Sequence, residues 1–430
     1  MSEIDNILGY DTIKEELKHY LNVMKYPEDY EDVGIVPARG FLFYGDVGVG
    51  KTYIAKAFIK DSGRMCYSCS KTKSGEEFLN DLRTVFDKAR RFTPSVVFLD
   101  DLDKFAELFE NEKANEFVVV QSLIDGLGDA DVVVVATATD VKQLPLSLLA
   151  VRRFDKVFNV EVMLGKKSKL LVEGLLKQVK LSDDVNVDEI SKIFMGQPCG
   201  VVKSVINSAG VYAVYDGRNA ISTDDLIKAY LRNLSGFAEE DEFNEEHALD
   251  VAVHEAGHAV VSELLNPEKV TMISIVNDDG ATSYYVDNSY FGSVKEIENR
   301  VKILLGGRAS TELVNGVVDV GTNNDLKRAF DLASNIVDTC CGSGFDKSLT
   351  KSSSDKLKEK REQEISALLD KLYQETKALL EENRGFLNAL IKEVVEHKIV
   401  LASQIQEIKN ATLKTNNAAG CDDDWMLPFD

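Results

Sequence analysis

The chain has 430 residues with a formal net charge of −22, and 44% of its residues are hydrophobic and 28% charged. This length leaves room for two or three domains, each with its own core. The acidity argues against a nucleic-acid binder, which needs a basic face, and against attraction to an anionic membrane surface. No apolar run approaches the roughly 20 residues that span a bilayer, and the six scattered cysteines fit a reducing interior. We therefore expect a cytoplasmic protein without direct membrane insertion.

The first motif is a glycine-rich loop between a predicted strand, Phe41 to Tyr44, and a helix predicted from Tyr53 to Ile59. It fits the phosphate-loop pattern G-x-x-x-x-G-K-[ST] and reads Gly45-Asp46-Val47-Gly48-Val49-Gly50-Lys51-Thr52. The glycines let backbone N–H groups surround the phosphates, Lys51 reaches the β- and γ-phosphates, and Thr52 can hold Mg²⁺. We predict that this loop and the adjoining Tyr53 bind ATP.

Two further strands are predicted to end at the same edge of a parallel sheet. Val96 to Leu99 ends in Asp100-Asp101, and the valine-rich run from Asp131 to Ala136 is typical of a central strand. Asp100 suits Mg²⁺ coordination, and Asp101 could orient the water that attacks ATP. The segment from Thr137 to Thr139 follows the second of these strands.

The chain then changes from mixed to helical. Arg152-Arg153 could bring a guanidinium to the nucleotide of a neighbouring subunit, although such a pair is more often a solvated surface feature. From Lys166 to Phe237 the apolar residues repeat at helical spacing, which predicts a small helical lid. The acidic stretch from Glu239 to Glu246 marks the expected linker to a second domain.

The second domain opens with an apolar helix that carries His254, Glu255 and His258. Residues four apart lie on one face of a helix, so both imidazoles can point at one ion. This H-E-x-x-H pattern predicts two nitrogen ligands for Zn²⁺ and a carboxylate placed to take a proton from water.

A catalytic zinc usually has three protein ligands, and the third is not fixed by spacing. His247 and His397 are candidates by residue type, and Glu312 and Asp325 by charge. A hairpin is predicted from the segments 270–276 and 281–286, and its exposed edge could pair with an extended peptide. The remainder is predicted to be helical up to a polar, acidic tail.

With these motifs in place, the sequence resembles the FtsH-type family of AAA+ zinc metalloproteases from about Ile7 to Ile408. Five segments carry the resemblance: Ile7-Leu8-Gly9-Tyr10, the phosphate loop with its strand and helix, His254-Glu255-Ala256-Gly257-His258-Ala259, Gly306-Gly307-Arg308-Ala309 and Asn324-Asp325-Leu326. The resemblance implies that Gly9 and Tyr10 contact the adenine. It also implies that Asp325, rather than Glu312, is the third zinc ligand.

The resemblance implies an α/β P-loop AAA+ ATPase domain with a helical lid, followed by a mainly α-helical zinc metallopeptidase domain. The expected boundaries are residues 1–165 for the nucleotide-binding domain, 166–237 for the lid, 238–412 for the peptidase and 413–430 for a disordered acidic tail. Family members form hexameric rings that use ATP to pull proteins into a peptidase chamber, so protein or peptide substrates and a homo-hexamer are expected.

The sequence departs from the family most in its ATPase half. The family usually carries two membrane helices ahead of the ATPase, and the motifs of this sequence begin with the ATPase segment at Ile7. The family's catalytic Asp-Glu pair is Asp100-Asp101 in this sequence. The missing methylene retracts the second carboxylate by about 1.5 Å, and such a misplacement can cost about a hundredfold in rate. The family's asparagine is Thr139, and of its two arginine fingers the first is Ala150 and only the second, Arg153, remains.

The pore loop also departs from the family, whose members have an aromatic-hydrophobic-glycine pattern there. The corresponding segment, 68–75, contains no aromatic residue, and Tyr67 and Phe78 are the nearest. Phe78 is expected to pack in the helix that follows.

The leading interpretation is an ATP-dependent zinc endopeptidase, in which Zn²⁺ polarises water and the scissile carbonyl while Glu255 accepts a proton. One alternative is a zinc peptidase whose AAA+ domain binds nucleotide for assembly or gating, with weak hydrolysis and little threading. A second alternative is a non-proteolytic AAA+ remodelling or scaffold protein.

Overall fold

The computed structural model describes residues 2–34, 37–73, 75–106, 115–235, 245–276, 281–284, 293–316, 323–338 and 355–418. Two compact units are present. The first is formed by residues 1–184 and 196–229, and the second by residues 185–195 and 230–430.

The first unit is built on a five-stranded parallel sheet with the order β2-β3-β4-β1-β5. The predicted strands are confirmed, and the valine-rich strand β4 is the central one. Its side chains are buried on both faces, which explains why the run does not alternate between apolar and polar residues. The strands are β1 (Gly40–Tyr44), β2 (Met65–Cys69), β3 (Ser95–Leu99), β4 (Val132–Ala138) and β5 (Lys156–Asn159).

Helices cover both faces of this sheet and form two apolar cores. One core contains Leu17, Ile54 and Phe58, and the other contains Phe78, Phe105 and further buried residues. Short 3₁₀ turns occupy Leu102–Phe105, Val141–Gln143 and Leu146–Leu149. The helices up to the lid are α1 (Asp11–Lys25), α2 (Pro27–Glu31), α3 (Lys51–Asp61), α4 (Gly75–Arg91) and α5 (Asn115–Asp125).

The predicted lid region contains four helices joined by short connections, as its apolar spacing suggests. Its helices are α6 (Gly165–Leu176), α7 (Val187–Ile193), α8 (Cys199–Tyr215) and α9 (Thr223–Ser235). Helix α7 and the end of α9 from Tyr230 belong to the second unit. The linker predicted from Glu239 to Glu246 is wrong at its end, because the next helix begins at Glu245. The rest of that linker, up to residue 244, lies outside the described residues.

The second unit is mainly helical with a small antiparallel sheet of order β7-β6-β8. The predicted hairpin is confirmed by the pairing of β6 with β7. The elements are α10 (Glu245–Leu265), β6 (Val270–Ser274), β7 (Ala281–Tyr284), α11 (Val294–Asn315), α12 (Asn323–Asp338), α13 (Asp355–Glu382), α14 (Arg384–His397), β8 (Ile399–Leu401) and α15 (Ala402–Ala418).

The end of the chain differs from the expectation of a tail from residue 413. Helix α15 continues to Ala418, so the first part of that segment is helical, and residues 419–430 lie outside the described part. Among the helices that the structure describes, none combines the length and apolar character that crossing a bilayer requires.

Candidate functional site

Helix α10 places the predicted zinc-site residues in the interior of the second unit. His254, Glu255 and His258 are 8%, 7% and 6% exposed. The spacing of four residues brings the two imidazoles to the same face, with 3.0 Å between their Nε2 atoms. A buried carboxylate therefore stands next to two converging imidazoles.

The third group that the structure brings to this point is Asp325, in the first turn of α12. Its Oδ2 atom lies 3.1 Å from His258 Nε2 and 3.5 Å from His254 Nε2. These three are the only group of His, Cys, Asp or Glu side chains in the described residues that could hold a metal ion. The structure thus brings together residues that are far apart in the sequence.

The other candidate ligands do not join this group. Glu312 accepts hydrogen bonds from the hydroxyl of Tyr373 and from Lys377 Nζ, the latter at 2.9 Å. His397 is exposed and pairs with Glu393 at 3.3 Å. The side chain of His247 lies outside the described residues.

The spacing of the three ligand atoms fits zinc. Nitrogen and oxygen ligands at about 2.0–2.1 Å from a tetrahedral Zn²⁺ stand roughly 3.3 Å from one another. The observed separations of 3.0, 3.1 and 3.5 Å bracket that value. Three protein ligands leave the fourth corner open, which is the arrangement of catalytic rather than structural zinc sites.

Helix α11 fixes the imidazoles from the opposite side. His258 Nδ1 lies 2.7 Å from the carbonyl oxygen of Ile303, so the N–H on Nδ1 donates to that oxygen and Nε2 keeps its lone pair for a metal. A Cβ at Gly307 would lie 2.5 Å from His254 Nε2 and 2.6 Å from His258 Nε2. The space that the rings occupy therefore exists only because residue 307 has no side chain.

A second close approach lies one residue earlier, where α10 and α11 cross. A Cβ on Gly257 would lie 2.4 Å from the Gly306 carbonyl oxygen, and a Cβ on Gly306 would lie 2.8 Å from the Gly257 carbonyl oxygen. The two helices meet backbone to backbone, which brings Ile303 and Gly307 within reach of the imidazoles. The glycines of both motifs thus have a direct packing role.

The carboxylate of Asp325 is ionised at this centre. Burial by itself raises the pKa of Asp325, but its hydrogen bonds with His254 and His258 outweigh that effect and hold the pKa well below the usual range. Burial lowers the pKa of His258, and the carboxylates of Asp325 and Glu255 reverse this so that the net shift is upward. Asp325 is therefore an anion facing two nitrogen donors.

In the first unit, the phosphate loop has the backbone conformation that its glycines allow. Gly45, Gly48 and Gly50 have φ values of 142°, 81° and 104°, which residues with a Cβ rarely adopt. Asp46 and Val47 form its exposed outer turn, whereas Val49 is buried.

Lys51 lies buried beneath this loop. Its ammonium donates to the carbonyl oxygens of Gly45 and Asp46 at 2.6 and 2.8 Å. Burial lowers the pKa of Lys51, partly offset by the charges of Asp101 and Asp103. The cation thus sits within the loop that would surround the phosphates of a nucleotide.

The predicted Mg²⁺ ligands lie together at the carboxyl edge of the sheet. The hydroxyl of Thr52 donates to Asp100 Oδ1 at 3.0 Å. Thr137 Oγ1 donates to the same oxygen at 2.7 Å and accepts from the N–H of Asp101 at 2.9 Å. A hydroxyl beside a carboxylate next to the phosphate loop is the arrangement that P-loop ATPases use for Mg²⁺.

The other residues predicted for hydrolysis have partners within the chain. Asp101 has a φ of 56°, and its carboxylate accepts from Lys104 Nζ at 2.7 Å. Arg153, predicted to reach a neighbouring subunit, makes a bidentate ion pair with Asp125 at 2.9 and 2.7 Å. The backbone N–H of Thr139 donates to Asp103 at 2.9 Å.

Of the two residues predicted to contact adenine, Tyr10 lines a pocket next to the phosphate loop, whereas Gly9 is not part of its lining. Gly9 and Tyr10 have φ values of 71° and 53°, and the hydroxyl of Tyr10 donates to the Val49 carbonyl at 2.8 Å. Burial raises the pKa of Tyr10 to about 12, so this hydroxyl stays protonated as a donor. The pocket is lined by Ile7, Tyr10, Tyr53, Leu171, Leu175 and Cys199, among others.

The two aromatic residues nearest the pore-loop segment, Tyr67 and Phe78, both pack against the core of the first unit. Phe78 is 1% exposed, and its ring lies 4.9 Å from that of Phe105 in an edge-to-face arrangement. The expectation that Phe78 packs in the following helix is confirmed. Tyr67 lies on β2 and is half-buried against the same core.

Several residues that shape these sites escaped the sequence reasoning. Gly307 belongs to a motif found by resemblance, but nothing local showed that it lies against the imidazoles. Ile303 acts through its carbonyl, which no side-chain pattern reveals. Asp103 stands in the mostly charged run Asp100-Asp101-Leu102-Asp103-Lys104, where no local pattern singles it out.

Two family models match separate parts of the chain. The model of peptidase family M41 matches residues 242–408, and that of the ATPase family associated with various cellular activities (AAA) matches residues 41–162. A protein of Helicobacter pylori named ATP-dependent zinc metalloprotease FtsH is 26% identical, over 96% of this chain and 71% of its own length. Its namesake in Ruminiclostridium cellulolyticum is 29% identical, over 95% of this chain and 72% of its own. The FtsH 2 protein of a Thermoanaerobacter species is 26% identical, over 94% and 82%.

Proposed function

This chain belongs to the FtsH-type family of AAA+ zinc metalloproteases, and from that premise we propose that it is an ATP-dependent zinc endopeptidase acting on proteins. The observation that carries the proposal is the convergence of His254, His258 and Asp325 beside the buried Glu255. A structural zinc site would be closed by a fourth protein ligand and would need no base. The family comparisons accordingly do not favour the gating-only or scaffold alternatives.

The residues of the peptidase centre have separate roles. His254, His258 and Asp325 would hold Zn²⁺, which would supply Lewis acidity for peptide hydrolysis. Glu255 takes the proton of the attacking water and delivers it to the leaving amine. The bond from His258 Nδ1 to Ile303 keeps the imidazole in the tautomer that a metal requires.

The residues of the ATPase centre hold the nucleotide. Lys51 and the loop amides would bind the phosphates of ATP, Thr52 and Asp100 would hold Mg²⁺, and the pocket around Tyr10 would accept the base. Asp101 orients the attacking water. To do so, its carboxylate must leave its ion pair with Lys104 and turn toward the nucleotide site.

A homo-hexameric ring in the cytoplasm is part of this proposal. The family resemblance supports the ring, in which Arg153 would exchange Asp125 for the nucleotide of a neighbouring subunit. The six cysteines are too few and too scattered for a disulfide framework, which supports a reducing compartment. Sedimentation velocity with a non-hydrolysable ATP analogue tests the ring, and a monomer under those conditions would exclude it.

The experiment that tests the peptidase is the Glu255→Gln variant. It removes the proton acceptor with little change in volume, so we expect cleavage of casein to fall by at least about a hundredfold. Zinc content and the melting temperature should stay the same. Glu298→Gln, on α11, is the matched control and should cleave normally. Retained proteolysis in the Glu255 variant would exclude the proposed role of this carboxylate.

A further inference from the structure

Asp103 is a buried carboxylate that none of the predicted roles uses. It lies in the 3₁₀ turn Leu102–Phe105, directly after β3, and is 7% exposed. Its Oδ2 accepts hydrogen bonds from the backbone N–H groups of Thr139 and Asp140 at 2.9 and 3.3 Å. Its Oδ1 is buried without a hydrogen-bond partner among the described residues. Burying a carboxylate is costly, so this position calls for a reason.

The two hydrogen bonds to Asp103 join the segment that follows β3 to the segment that follows β4. Thr137, on β4, joins the same segments, because it donates to Asp100 and accepts from the N–H of Asp101. The hydrogen bond from Thr137 holds Asp100, the residue expected to bind Mg²⁺. The hydrogen bond to Asp103 holds the backbone of Thr139, the residue that replaces the family's asparagine.

The position of Asp103 relative to the phosphate loop agrees with such a role. Strand β4 pairs with β1, and its last residue, Ala138, stands opposite Tyr44, directly before the phosphate loop. Thr139 and Asp140 follow Ala138 and so lie beside the start of that loop. The backbone N–H groups that Asp103 holds are those of these two residues.

We propose that Asp103 is a positioning residue for ATP hydrolysis, which holds the Thr139 backbone so that the threonine hydroxyl faces the γ-phosphate and the attacking water. The inference rests on the proposed ATPase function and deepens it. A threonine hydroxyl reaches less far than an asparagine amide, so its backbone has little freedom to be elsewhere. A misplacement of about 1 Å can cost about a hundredfold in rate.

Two substitutions separate this role from a general structural one. Asp103→Ala removes both bonds, and we expect kcat for ATP hydrolysis to fall roughly ten- to a hundredfold. KM for ATP should stay within about twofold, because the phosphate loop and the Tyr10 pocket are untouched. Asp103→Asn keeps an oxygen that can accept from both N–H groups, so kcat should return to within about threefold of wild type.

The matched control is Asp184→Ala. Asp184 is an aspartate of the same unit that also holds a backbone N–H, that of Thr223 at 2.8 Å, within the lid. This variant should hydrolyse ATP like the wild type. If Asp103→Ala does not fold, Asp103→Glu displaces the carboxylate by one methylene and should lower kcat without changing KM.

A double-mutant cycle tests whether Asp103 acts through Thr139. If it does, Asp103→Ala combined with Thr139→Ala should be no slower than Thr139→Ala alone. If the double variant instead loses kcat by the product of the two separate factors, the proposal is wrong. An unchanged kcat in Asp103→Ala, an equal loss in Asp103→Asn, or a loss confined to KM would also overturn it.

The outcome also separates this inference from the proposed function. Wild-type protein that cleaves casein but hydrolyses no ATP would overturn the ATPase role and the inference together. Wild-type hydrolysis that Asp103→Ala leaves unchanged would overturn the inference alone.

Discussion

Gly307→Ala tests whether the packing of α11 shapes the metal centre. Helix propensity alone predicts that alanine stabilises a helix interior by about 1 kcal/mol relative to glycine. The structure nevertheless predicts that this substitution impairs zinc binding and cleavage. The new Cβ would lie 2.5 Å from His254 Nε2, whereas non-bonded carbon contacts are favourable from about 3.5 Å. The imidazoles would therefore have to move by about 1 Å.

A movement of that size displaces two ligands of the predicted zinc site. We expect zinc affinity to fall at least about tenfold and casein cleavage to fall about a hundredfold. Zinc affinity is measured by competition with a chromophoric chelator, and cleavage with fluorescent casein. The matched control is Gly385→Ala, on α14, where a new Cβ meets no atom within 4 Å among the described residues. Wild-type zinc affinity and cleavage in Gly307→Ala would refute the reasoning.

Three further predictions concern the first unit. Lys51→Ala should abolish ATP binding in calorimetry while leaving zinc content unchanged, and unaltered ATP affinity would exclude the predicted phosphate contact. Tyr10→Phe removes the hydrogen bond to Val49, so ATP affinity should fall about fivefold, which is roughly 1 kcal/mol; full affinity would show that this bond does not shape the pocket. The hydrogen bond from Arg218 holds the pKa of Asp225 below its usual range. The pair therefore stabilises the folded state at pH values above the unfolded pKa of about 3.9. This stabilisation is lost as the pH falls from that value through the lower pKa of the folded state. Asp225→Asn should therefore lower the melting temperature at pH 7 and have a smaller effect near pH 3, and an equal deficit at both would contradict this assignment.

Local patterns sufficed for the parts of the molecule whose function is set within a few residues. The phosphate loop and the H-E-x-x-H helix could be predicted because each motif combines a fixed spacing with one secondary-structure element. The central position of β4 followed from its unbroken run of valines, since only a strand buried on both faces lacks polar alternation.

Contacts between distant segments could not be predicted in this way. Asp325 lies 67 residues after His258, and family resemblance alone selected it over Glu312. The structure shows why Glu312 is occupied elsewhere, by Tyr373 and Lys377. Sequence spacing contains no information about which of two carboxylates a helix crossing will turn inward.

The ATPase half shows a second limit, because a residue type does not reveal its partner. Arg153 was predicted to reach the nucleotide of a neighbouring subunit, and within the chain it pairs with Asp125. Asp103 attracted no prediction, because its partners are backbone N–H groups that any sequence would supply. Such hydrogen bonds can be identified only from a structure that shows which strand ends are neighbours.

The most direct test of the zinc centre is X-ray absorption at the zinc edge of protein loaded with one equivalent of Zn²⁺. The account predicts nitrogen and oxygen donors alone, at about 2.0–2.1 Å, with two imidazoles among them. Substitution of His258 by alanine should change this spectrum. A sulfur shell at about 2.3 Å, or a spectrum that the His258 substitution leaves unchanged, would contradict a site made of His254, His258 and Asp325.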